Sequence, residues 1–93
     1  MMSYRVVQMS RFAKTYKRLR DNQVPEVDAA VALISENPSA GDRKKGDLSA
    51  IRVFKFKVIG QEFLLAYSAD HEIRLLYLEA LGSHENFYRD LKN

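Results

Sequence analysis

A chain of 93 residues that is 46% hydrophobic can bury one core but not two, so residues 1–93 are expected to form a single domain. The absence of cysteine excludes disulfides, thiolate catalysis and cysteine-ligated zinc, and His71 and His84 lie too far apart for a standard metal spacing, so no metal or other cofactor is expected. Fifteen Lys plus Arg against twelve Asp plus Glu leave a net charge of only +3, and no segment approaches the roughly 20 apolar residues of a membrane span or the apolar run of a signal peptide, so a cytoplasmic protein is expected.

Residues 4–9 are short and rich in β-formers and predict a first strand. Ser10 then offers a side-chain oxygen at the start of a helical pattern in which Phe12, Tyr16 and Leu19 recur at four- and three-residue spacing. Arg11, Lys14, Lys17, Arg18 and Arg20 fill the other positions and read as a solvated face. Asp21-Asn22-Gln23 breaks the pattern. Pro25 suits the first turn of a second helix whose inner face is Val27, Val31 and Ile34, and Asn37-Pro38 ends it. Residues 39–47 form the longest polar stretch and include Arg43-Lys44-Lys45, a run that fits solubility and phosphate contact equally well.

From Leu48 the apolar period changes to two. Residues 51–58, 62–68 and 72–80 predict three strands joined at Ile59-Gly60-Gln61 and Ala69-Asp70-His71, connections short enough for an antiparallel meander. Ser83 then suits the cap of a closing helix. The order implies an α+β fold: an antiparallel sheet of about four strands, two N-terminal helices on one face, a short C-terminal helix, and the other face partly open.

The open face is where chemistry is expected. Along residues 51–58, Arg52, Phe54, Phe56 and Val58 point one way and Ile51, Val53, Lys55 and Lys57 the other. With the phenylalanines under the helices, Lys55 and Lys57 face outward, a pattern that also simply keeps a sheet face soluble. His84 and Tyr88 are four residues apart and share one face of a helix, just after Gly82 lets the chain turn. Metal-free RNA cleavage needs a base for the 2′-OH proton, cations for charge developing on the phosphate, and an acid for the leaving oxygen. Histidine, tyrosine and lysine can supply all three. His71, beside Asp70 in an expected turn, reads as structural.

The order of elements, together with Gly46-Asp47-Leu48, Phe54-Lys55-Phe56-Lys57, Phe63-Leu64-Leu65-Ala66-Tyr67 and Gly82-Ser83-His84-Glu85-Asn86-Phe87-Tyr88, resembles the RelE/ParE superfamily of bacterial type II toxins. The final segment is similar to that of the YafQ branch. The resemblance spans nearly the whole chain and implies a microbial-RNase-like toxin that cuts mRNA on the ribosome, inhibits translation, and is held inactive in a hetero-oligomer by an antitoxin encoded alongside. It implies catalytic roles for Lys55, Lys57, His84 and Tyr88. Two positions depart from the family pattern: Leu64 stands where an arginine is usual, and Ser83-His84 where an arginine usually follows the glycine. Arg43, Lys44, Lys45, Arg52 and Arg74 are then the candidate RNA-binding cations. The alternatives are a ParE-like inhibitor of DNA gyrase, which needs no proton-transfer pair, and an inactive homologue that serves only to bind antitoxin. Fold alone does not separate them.

Overall fold

The computed structural model describes residues 3–44, 50–84 and 87. Its elements are β1 (Arg5–Gln8), α1 (Ser10–Lys17), α2 (Val24–Glu36), β2 (Asp42–Arg43), β3 (Arg52–Val58), β4 (Gln61–Asp70) and β5 (Leu75–Ser83). The strands form one sheet in the order β1-β5-β4-β3-β2. The expected sheet of about four antiparallel strands is therefore corrected to five strands in a mixed sheet. β1 runs parallel to β5, because the two helices carry the chain back across the sheet, while the remaining pairs are antiparallel. The extra strand, β2, lies inside the stretch expected to be a polar loop, and composition concealed it because it is only two residues long.

Helix α1 begins with Ser10 as its first helical residue, so Met9 rather than Ser10 takes the N-cap position, without a side-chain hydrogen bond. Phe12 is fully buried, and Tyr16 stacks on it at a centroid distance of 5.8 Å. The Tyr16 hydroxyl donates to Asp28 Oδ1 at 2.6 Å, tying α1 to α2, and this bond raises the Tyr16 pKa above its ordinary value. Pro25 does sit in the first turn of α2, and Val27, Ala30 and Ile34 form its buried stripe.

Both helices cover the sheet face that carries Phe54, Phe56, Val58, Phe63, Leu65, Tyr67, Leu76 and Leu78. The central strand β4 is buried continuously from Phe63 to Tyr67, which means that apolar groups cover its second face too. That second cluster is Val53, Leu64, Ala66, Ala80 and Phe87, with Ile51 at its margin. The open face is thus covered at its middle and exposed toward its ends. Phe87 is helical and buried; the rest of the expected C-terminal helix lies outside the described residues.

Three local features set the registers. β3 and β4 join through a two-residue turn at Ile59 and Gly60, both with positive φ, so Val58 pairs with Gln61 and Lys57 with Glu62. A bulge between Ala66 and Tyr67 on the β4–β5 ladder leaves Glu79 as the extra residue, and Ser68 Oγ donates to Glu79 Oε2 at 2.9 Å. The β4–β5 connection is a turn rather than strand from Glu72: Asp70 Oδ1 accepts the Glu72 and Ile73 N–H groups, and β5 starts at Leu75.

Candidate active site

Residues paired across an antiparallel ladder share a sheet face. Lys57 lies opposite Glu62, and the Glu62 carbonyl accepts the His84 N–H at 3.2 Å; Lys55 lies opposite Leu64, which lies opposite Gly82. Lys55, Lys57, Glu62 and His84 therefore gather on the helix-free face, at the end of the sheet bearing the β3–β4 turn. His84 Nε2 stands 4.0 Å from Glu62 Oε1, with both side chains about half exposed. Lys55 and Lys57 are exposed, whereas Leu64 between them and Gly82 is fully buried.

This cluster holds two ammonium groups, one imidazole and one carboxylate within reach of a single ligand. An imidazole moves protons near neutral pH, and paired ammonium groups stabilise charge that develops on a phosphoryl oxygen. The carboxylate faces the Nε2 side of the imidazole across a gap longer than a direct hydrogen bond.

Sequence reasoning missed Glu62. The signal was the two-residue turn: a three-residue connection at 59–61 displaces the pairing by one and hides the Lys57–Glu62 opposition.

The other expected cations lie elsewhere. Arg43, Lys44, Arg52 and Arg74 are at the opposite end of the sheet, where β4 ends and β5 begins. From Glu62 to Ser68 along β4 is about 20 Å at the rise of an extended chain. Arg52 Nη1 donates to the Gly41 carbonyl at 2.8 Å, and the Lys44 N–H pairs with the Ile51 carbonyl. Arg74 has positive φ and stacks its guanidinium over Tyr4, 4.6 Å from the ring centre. The Tyr4 hydroxyl and His71 Nδ1 share a hydrogen bond of 2.6 Å, with the rings edge to face. Tyr88 and Lys45 lie outside the described residues.

Tyr67 braces that distant end. Its hydroxyl accepts the Gly41 N–H at 2.8 Å and donates to the Pro38 carbonyl at 2.7 Å. Gly41 is packed so tightly that a Cβ there would meet Tyr67 at 2.9 Å. Burial raises the Tyr67 pKa above its ordinary value, opposed by the Gly41 hydrogen bond and the charge of Arg52.

Among the described residues no three His, Asp or Glu side chains converge as a metal site would require, and no helix is long and apolar enough to cross a membrane.

A strand, two helices and a meander, with cations and a histidine at one sheet end, make up a small α+β domain. Residues 6–92 match the family profile described as the ParE-like toxin of type II bacterial toxin–antitoxin systems, and the chain belongs to that family. No curated protein sequence matches it significantly. Among solved structures it is similar to a double arginine-to-alanine variant of Escherichia coli RelE in the free state. That match has a TM-score of 0.75 at 15% identity over 98% of this chain and 92% of the other. The intact E. coli RelBE toxin–antitoxin complex matches with a TM-score of 0.71 at 16% identity, over 87% of this chain and 96% of the other. The RelBE2 toxin–antitoxin complex of Mycobacterium tuberculosis matches with a TM-score of 0.69 at 17% identity, over 89% and 100%. These three likenesses establish the fold.

Proposed function

We propose that this toxin inhibits translation by cutting mRNA on the ribosome, with no metal in the reaction. The observation that carries the reading is the convergence of Lys55, Lys57, Glu62 and His84 at one end of the helix-free face. The 2′-oxygen attacks the adjacent phosphorus as its proton passes to a base, the bond to the 5′-oxygen breaks, and an acid protonates that oxygen. His84, oriented by Glu62, takes one proton-transfer role. Tyr88 takes the other, a role drawn from its resemblance to the C-terminal tyrosine of RelE. Lys55 and Lys57 stabilise the charge on the phosphoryl oxygens. A cognate antitoxin is the expected partner, as the RelBE complexes suggest, and a segment that folds on the toxin would cover this face.

A second reading, a gyrase inhibitor, draws on Leu64. That position is buried beneath the open-face cluster, so the cation usual there is missing from the site. Primer extension on mRNA in a translation reaction, run beside the His84→Ala/Tyr88→Phe variant and a ribosome-free control, tests the nuclease. New ends that need both ribosomes and the intact pair support it. Intact mRNA together with blocked supercoiling by gyrase would replace it with the second reading.

A further inference from the structure

Strand β3 lies second from one side of the sheet, and its outer neighbour β2 is only two residues long, pairing with Arg52 and Val53. Val58 and Gln61 flank a two-residue turn and so exchange ladder hydrogen bonds, and alternation then turns the backbone groups of Lys55 and Lys57 away from β4. The Ile51 carbonyl obeys the same alternation, accepting from the Lys44 N–H on the outer side. Among the described residues no strand pairs with β3 beyond Val53, so from Phe54 to Val58 it is an open edge.

The two faces of that edge differ. On the helix side Phe54 and Phe56 are only partly buried and stack at 5.9 Å, and with Ala29 and Leu33 of α2 they line a groove of about 260 Å³. Lys57 also lines the groove, which places the groove at the margin of the strand. Glu26 lines it too, and its Oε2 is buried without a hydrogen-bond partner, an acceptor that calls for a donor. On the helix-free side the edge carries Lys55 and Lys57, both exposed; Lys57 faces Glu62 across the ladder, whereas Lys55 faces only Leu64.

A strand laid along this edge alternates its side chains between the same two faces. One set enters the groove over Phe54 and Phe56, and the other lies beside Lys55 and Lys57, where acids are favoured and cations are opposed. A second copy of this chain is a poor occupant, because pairing β3 with β3 sets lysines against lysines. We infer that β3 is the docking edge for an extended antitoxin segment of alternating apolar and acidic residues, which adds as a further strand, seats its apolar side chains between α2 and β3, and covers Lys55 and Lys57 with its acids. The inference rests on an antitoxin being the partner. On the nuclease reading the same contact neutralises the cations that stabilise phosphoryl charge, so strand addition is itself inhibitory.

The test uses the full chain and a fluorescein-labelled peptide of about eight residues, alternating valine and glutamate, followed by anisotropy and by amide hydrogen exchange read by NMR. Binding is expected to protect the Lys55 and Lys57 amides, which face outward in the free chain, and to leave exchange along Arg5–Gln8 of β1, the other edge, unchanged. A valine–lysine peptide of the same pattern should not bind. Leu33→Glu, at a position 45% exposed, should weaken binding about ten- to a hundredfold, the worth of burying one leucine side chain, while Leu33→Met retains it. Equal binding of the valine–lysine peptide, protection on β1 instead of β3, unchanged affinity in Leu33→Glu, or no binding at about 1 mM peptide would each overturn the inference. Protection of Lys55 and Lys57 in a chain that cuts no mRNA would leave the docking edge standing and remove the nuclease reading. Cleavage of mRNA without that protection would do the reverse.

Discussion

Tyr67 does more for this molecule than its place in an apolar strand implies. Its hydroxyl satisfies the Gly41 N–H and the Pro38 carbonyl, so Tyr67→Phe keeps the ring and strands both groups. The expected loss is about 1–3 kcal/mol, read as a lower midpoint in urea at unchanged m-value. The sign of its pH dependence follows from the raised pKa. The unfolded chain loses the tyrosine proton near the ordinary value of 10.0 and the folded chain loses it later, so this contribution is intact below pH 10 and is lost as pH rises from there through the folded pKa. Urea midpoints measured on both sides of pH 10 should fall more steeply in wild type than in Tyr67→Phe. Tyr16, whose pKa is also raised, contributes in the same direction to the slope that remains in the variant. Ile59 shows the opposite economy: a β-branched, exposed residue held at φ 49° in the turn that sets the register of Lys57 against Glu62. Ile59→Asn creates the Asn-Gly pair that such turns favour and should add about 1 kcal/mol, seen as a Tm increase of several degrees.

The elements legible in the sequence are those whose period and punctuation agree. α2 has a proline in its first turn, an apolar stripe and a terminal Asn-Pro, and it formed as read except that Ala30 is buried with Val27 and Ile34 while Val31 is only partly buried. β3 alternates cleanly, and its faces fell as expected, phenylalanines inward and lysines outward. What could not be read depends on partners distant in the chain. β2 exists only because Asp42 and Arg43 meet Val53 and Arg52, and β1 is parallel only because the helices return the chain to the far side of β5. The cluster of lysines with His84 was legible as a face, whereas Glu62 joined it only once the turn length was known. The continuous burial of β4 hid the second apolar cluster, since five buried residues in a row do not say which face each covers. That cluster makes a prediction at its own scale. Leu64→Ala should cost about 2–5 kcal/mol and Phe87→Ala about 3–5 kcal/mol, and because both belong to one small cluster the double variant should cost less than the sum. Strictly additive thermal or urea denaturation energies would show that Phe87 does not share Leu64's packing.

Across the whole molecule, the fold separates what holds it together from what would act. Its main core lies under the helices, whereas Lys55, Lys57, Glu62 and His84 stand exposed beyond the second cluster, so changing them should touch activity far more than stability. Glu62 offers the sharpest division. Its opposition to Lys57 and its 4.0 Å approach to His84 are solvent-exposed contacts, worth roughly 0.2–1 kcal/mol at most, so Glu62→Gln should unfold almost as wild type does. On the nuclease reading, removing the imidazole by His84→Ala should slow cleavage about a hundred- to ten-thousandfold. If Glu62 serves only to orient His84, Glu62→Gln should slow cleavage by a smaller factor, and the double variant Glu62→Gln/His84→Ala should be no slower than His84→Ala alone. Initial rates of mRNA cleavage on ribosomes, followed by primer extension for all four proteins, decide the matter. A double variant slowed by the product of the two single effects would mean that Glu62 acts on the RNA or on Lys57 independently of the histidine.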